Sequence, residues 1–134
     1  MRLNVDATRT EVVVLADGRD TVLRPLASYD RTALQVLFGE TSADNLYTRF
    51  FGLGVDTVSK HLDHLFADDP AVLTYIVTSG GRILGVADVE ILDHVSAEVA
   101  FLVADDTHGC GVATLLLERA AGDARSIGIE WVRR

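Results

Sequence analysis

Residues 97–116 read AEVAFLVADDTHGCGVATLL, an apolar β-type run that passes within a few residues into a helical pattern, through two glycines one residue apart. No other stretch restricts the fold as strongly. A helix that begins at a glycine turn offers four unpaired amides and about half a positive charge at its N-terminus. Gly109 and Gly111 carry no Cβ and tolerate φ > 0, so the main chain there can wrap closely around an anion. The segment is a candidate diphosphate cradle at the head of a helix.

Three phosphate-binding patterns compete for these residues. A P-loop requires Lys and then Ser or Thr after its last glycine, whereas Val112 and Ala113 follow Gly111. A dinucleotide fingerprint requires Gly or Ala where Thr114 stands, and a surrounding βαβ unit of parallel strands. The third pattern is the coenzyme A loop that follows a strand in acyltransferases.

The rest of the chain predicts an α+β arrangement, with helices covering a mostly antiparallel sheet. Residues 11–25, EVVVLADGRDTVLRP, read as a hairpin turning at Asp17 and Gly18, with Pro25 closing its second run. From Ser28 a 3.6-residue period places Leu34, Leu37 and Phe38 on one face, with Ser28 or Asp30 as cap. Two more helical pieces follow. SADNLYTRFFG stacks Leu46, Tyr47 and Phe50, and VDTVSKHLDHLFADD aligns Val58, Leu62 and Leu65. After Pro70, AVLTYIVTSG, RILGVADVEILD and SAEVAFLVA predict an antiparallel meander. A long helix with the stripe Val112, Leu115, Leu116 and Ala120 then runs to Gly128, and Ile129 to Val132 begin a further strand.

The chain has 134 residues and a formal net charge of −8. One domain is expected at this length, with residues 1–10 as an N-terminal extension. The charge argues against nucleic acid as a partner and favours a cationic acceptor. Cys110 is the single cysteine, which excludes an internal disulfide and suggests a reducing compartment. No run approaches the length of a membrane span, and the expectation is a cytoplasmic protein without a membrane partner.

The run from Val103 through His108, Gly109, Cys110, Gly111, Val112 and Ala113 resembles the signature of the GNAT N-acetyltransferase superfamily. That signature has a strand-end Val, then Arg or Gln five residues later, then Gly-x-Gly-x-Gly/Ala; His108 departs from it. VLRPL at 22–26, NLYTRFFG at 45–52 and AEVAFLV at 97–103 resemble the acetyltransferase domains of bacterial protein lysine acetyltransferases that modify acyl-CoA synthetases. The resemblance spans residues 21–134. It implies a GNAT-like fold that ends within the fifth strand of the family pattern, with the fourth helix and last strands absent and no tyrosine available as general acid. An edge left uncovered in this way is expected to favour a homo-oligomer.

The same resemblance implies acetyl-CoA as cofactor and a primary amine, a protein lysine, as acceptor, attacked directly in a ternary complex. Coenzyme A would be bound by Phe101, Leu102 and Val103 through main-chain groups and by His108, Gly109, Cys110, Gly111, Val112, Ala113 and Thr114 around its diphosphate. Only about one lysine in 2,500 is neutral at pH 7, so a base is required, and Glu98 is the candidate. On alternation alone, Glu98 reads first as a surface strand residue, and it is the resemblance that reverses this order.

Other residues carry weaker signals. Cys110 at a helix start could be a nucleophile, although no partner motif accompanies it. His61 and His64 beside Asp63 could approach a metal but more simply form a solvated helix edge, so no metal is expected. Asp105 and Asp106 read as helix N-terminal stabilisers. Tyr47, Arg49 and Phe50 either shape the acceptor channel or pack a helix. Two other functions stay open: a catalytically silent acyl-CoA-binding sensor or interaction module, and a structural domain whose glycines only make a turn.

Overall fold

The computed structural model describes residues 9–40 and 55–133. The predicted helix around NLYTRFFG, with Tyr47, Arg49 and Phe50, lies outside those residues. Among the described residues six strands form one sheet in the order β1 to β6: Glu11–Val14, Asp20–Pro25, Val72–Ser79, Arg82–Ile91, Ser96–Val103 and Trp131–Arg133. Neighbours from β1 to β5 are antiparallel, and β6 joins β5 in parallel. Three helices among the described residues accompany the sheet: α1 (Arg31–Glu40), α2 (Val55–Leu65) and α3 (Val112–Ser126).

The alternation read from the sequence decides which face each strand residue takes. Ala87 and Val89 of β4 and Ala97, Val99 and Val103 of β5 pack toward α3, together with Val112, Leu116, Ala120 and Ala124. Val86 of β4 and Leu102 of β5 point to the opposite face, where Leu34, Leu37 and Phe38 of α1 and Leu62 and Leu65 of α2 close a second cluster. One sheet thus separates two apolar layers. The helical stripe expected for α3 is the buried one, and the helix ends at Gly128 with φ 95°, the left-handed conformation a C-terminal glycine supplies.

The start of the first helix differs from expectation. A 3-10 turn, Ser28–Asp30, precedes α1, and its N-cap is Ala27. Asp30 serves by reaching back: its Oδ2 accepts from the Ala27 amide at 2.7 Å while its two oxygens receive the Arg24 fork at 2.8 Å each. Burial alone would raise the Asp30 pKa, but the Arg24 bonds and the amide hold it below the usual carboxylate value.

One glycine decides how close α3 can lie. The register between β3 and β4 shifts at Val77/Thr78, so Val77 faces Gly85 and Thr78 faces Ile83, which leaves Leu84 bulged. A Cβ at Gly85 would stand 2.7 Å from Val112 Cγ1 and 3.0 Å from Leu116 Cδ1. Gly85→Ala must therefore push the first turn of α3 away from the sheet. We expect about 1–3 kcal/mol of lost stability, and a weaker coenzyme complex because Val112 opens the cradle helix. Chemical denaturation and coenzyme A calorimetry on the same variant measure both effects.

Candidate active site

The end of β5 and the start of α3 enclose a pocket of about 400 Å³. Phe101 and Val103 contribute from the strand; Thr107, His108, Gly109, Gly111, Val112, Ala113 and Thr114 contribute from the turn and helix. Gly109 and Gly111 have φ of 83° and 96°, and a Cβ on either would meet open space. Their requirement is conformational: only glycine enters this region without strain.

The N-cap of α3 is Gly111, which has no side chain to satisfy the helix amides. Among the described residues, the amides of Gly109, Gly111, Val112, Ala113 and Thr114 donate to no protein acceptor, and intrahelical bonding begins with Leu115 N to Gly111 O at 3.0 Å. Five unclaimed donors at the positive end of a helix, beside an open pocket, fit a diphosphate. The residues present thus fit coenzyme A.

One of the expected cradle residues, Cys110, turns its side chain elsewhere, and Leu102 offers the strand only the main chain expected of it. Cys110 does not line the pocket; its thiol faces the β1–β2 turn, 3.5 Å from Asp17 Oδ2. Leu102 is buried in the α1–α2 layer, so only its main chain borders the pocket strand. Thr107 is a lining residue absent from the sequence-based set, held by Oγ1 donation to Ala104 O at 2.8 Å. His108 turns back on β5: its Nε2 lies 3.2 Å from Val103 O, and a carbonyl only accepts, so that nitrogen carries the proton.

The turn that carries the cradle is gripped from behind. Arg82, at the start of β4, places both terminal nitrogens 2.9 Å from the two oxygens of Asp106, and also reaches Glu40 at 3.3 Å. Arg19 of the hairpin approaches Asp106 at 4.0 Å and pairs with Asp17 at 2.8 Å. The Arg82 bonds hold the Asp106 carboxyl below its ordinary pKa, and Arg19 does the same for Asp17. Asp106 is therefore an anchor for the turn as well as an acidic residue in the first turn of the short 3-10 helix Asp105–Thr107, as its position in the sequence predicts. The pair joins residues 24 apart in sequence, a separation that no local pattern reveals.

Glu98 lies farther down β5, on the opposite face from the pocket residues Phe101 and Val103. It is exposed and pairs with Arg133 of β6 at 3.4 Å. Directly across the ladder stands Glu90, which bonds His64 of α2. His61 approaches the buried carboxylate of Asp88 at 3.6 Å. The two imidazoles thus face different β4 carboxylates, and Asp63 pairs with Arg31. This face of the sheet collects Asp88, Glu90 and Glu98 in one acidic strip at the N-terminal half of β5. The structure unites the cradle and sets Glu98 apart from it, about 10 Å along the strand from Phe101.

Comparison with known proteins agrees with this geometry. The acetyltransferase (GNAT) family profile matches residues 40–133. The chain is similar to the GNAT domain of PAT from S. lividans, with 31% identity, a TM-score of 0.76, and coverage of 90% of this chain and 74% of that one. It is also similar to the cAMP-binding acyltransferase from Mycobacterium smegmatis, at 25% identity and a TM-score of 0.57; that match covers 90% of this chain and 36% of the other. Aminoglycoside N-acetyltransferase AAC(6')-Iy, solved in complex with CoA, shares the fold at 14% identity and a TM-score of 0.65, covering 84% of this chain and 74% of that one. From the signature after β5, the six-stranded sheet and a profile match over most of its length, the chain belongs to the GNAT family of acyl-CoA-dependent N-acetyltransferases, which use acetyl-CoA.

Proposed function

We propose that this protein transfers an acetyl group from acetyl-CoA to a lysine of another protein, in the cytoplasm, by direct attack within a ternary complex. The observation that carries the reading is the set of five unclaimed amides at the head of α3, around a pocket whose other wall is the end of β5, the strand that carries Glu98. When bound, the coenzyme supplies the acyl group as a thioester. Gly109, Gly111, Val112, Ala113 and Thr114 hold its diphosphate with main-chain donors, and His108 braces the turn against Val103. Phe101, Leu102 and Val103 border the path along β5 with main-chain groups. Glu98 accepts a proton from the acceptor ammonium, which makes the amine a nucleophile. Its exposure leaves it open to a large acceptor. The acidic strip of Asp88, Glu90 and Glu98 favours a cationic substrate at this end of the sheet. Trp131 and Val132, both exposed on the edge strand β6, support association of two copies there.

One observation favours a second reading. Glu98 faces away from the pocket and carries Arg133 as partner, an arrangement also suited to a sensor that binds acyl-CoA without turnover. A thiol-release assay with acetyl-CoA and a panel of amines separates the two. The proposed function predicts acceptor-dependent thiol release. Tight coenzyme binding in calorimetry with no release for any amine would establish the sensor.

A further inference from the structure

A second cavity, of about 620 Å³, lies outside the coenzyme pocket, between the loop after β2 and the loop from α2 to β3. Leu26, Leu65, Phe66 and Pro70 give it apolar walls, and Asp68 and Asp69 contribute two carboxylates. Among the described residues neither carboxylate meets a basic side chain within ion-pair distance; Asp69 accepts the Ala71 amide at 2.9 Å. The nearby arginines are committed elsewhere, Arg24 to Asp30 and Arg31 to Asp63 and the Phe66 ring. An apolar trough with two uncompensated negative charges complements a basic residue next to an apolar one.

Its position relative to Glu98 gives the site a use. Val72, which lines the cavity, pairs with Glu90 across β3 and β4, and Glu90 pairs with Glu98 across β4 and β5. Two strand spacings separate the trough from Glu98, roughly 10 Å along one row of the sheet. An extended peptide covers that span with about three residues. We propose that this trough docks the acceptor protein: it takes an apolar side chain and an adjacent lysine or arginine lying about three residues from the lysine that is acetylated. The inference rests on the reading of Glu98 as base and of a protein lysine as acceptor.

Asp68 is the residue to change, because its φ is 58° and glycine relieves that conformation while removing the charge. In Asp68→Gly, unfolding is therefore not a source of lost function. The probes are a lysine peptide with a Leu-Arg pair three residues from the lysine, the same peptide with that pair replaced by Gly-Ser, and a small primary amine. The wild type is expected to prefer the Leu-Arg peptide. In Asp68→Gly its KM is expected to rise roughly fivefold to tenfold, with kcat, the KM for acetyl-CoA and the small-amine rate unchanged. Turnover of all three acceptors with no Leu-Arg preference, or a peptide KM indifferent to Asp68→Gly, would overturn the docking site and leave the enzymatic function standing. If no amine is turned over, calorimetry with the Leu-Arg peptide decides. Binding that weakens in Asp68→Gly keeps the trough and removes the function, and no binding removes both.

Discussion

Replacing Glu98 by Gln is expected to lower kcat by about two to four orders of magnitude while leaving coenzyme affinity unchanged. Gln keeps the size of Glu and can still bond Arg133, but it cannot take a proton from an ammonium group. Because the side chain is exposed and its ion pair with Arg133 lies at the surface, stability is expected to change little. Thiol release at saturating acetyl-CoA and acceptor measures the loss, and coenzyme A calorimetry verifies the cradle. A kcat within a few-fold of wild type would remove Glu98 from the chemistry. Glu90→Gln is the informative companion, since Glu90 stands opposite on β4 and bonds His64. A larger loss in that variant would move the base one strand across.

The largest loss of stability is expected from Asp123→Ala. Asp123 sits on α3 with one oxygen receiving both the Tyr75 hydroxyl at 2.6 Å and Arg119 Nε at 3.0 Å, and the other receiving Arg9 at 3.2 Å. Arg119 is almost fully buried; it also bonds Glu11 and the Arg9 carbonyl, and stacks over Tyr75 at 5.1 Å. Burial, together with the bond to Asp123, holds the Tyr75 phenol well above its ordinary pKa, so it remains a neutral donor. Alanine at 123 would leave a buried guanidinium short of its nearest counter-charge and a buried hydroxyl without an acceptor. The expected cost is about 3–5 kcal/mol, a large part of the 5–15 kcal/mol typical of a folded protein. Asp123→Asn, which still accepts from Tyr75, should lose less. Urea denaturation of the three proteins tests the order, and equal stability of wild type and Asp123→Ala would refute the account. The network also ties the N-terminal strand to the cradle helix, because Glu11 is the first residue of β1.

Much of this molecule was legible before folding, for a physical reason visible in particular residues. The meander from Val72 to Val103 follows from alternating side chains, and the stripe Val112, Leu116 and Ala120 from a 3.6-residue period; both belong to the backbone of one segment. Gly109 and Gly111 could be read as a cradle because positive φ is a local property of glycine. Gly85 could not. Its role comes from a bulge opposite Val77 and from a helix that arrives much later in the chain. The same holds for Arg82 on Asp106 and for Tyr75 on Asp123, which lie 24 and 48 residues apart. Cys110 shared the glycine pattern with its neighbours, yet strand pairing brings the Asp17 turn against it and takes its side chain out of the pocket.

The sequence by itself determined the elements, the two faces of the sheet and the place of the anion-binding turn, since these depend on periodicity and on the conformational freedom of single residues. Tertiary structure alone decided which amides stay unclaimed, what anchors the turn from behind, and that Glu98 lies across the sheet from the cradle. Those features are distances between segments remote in the chain, and such distances exist only once the layers have packed.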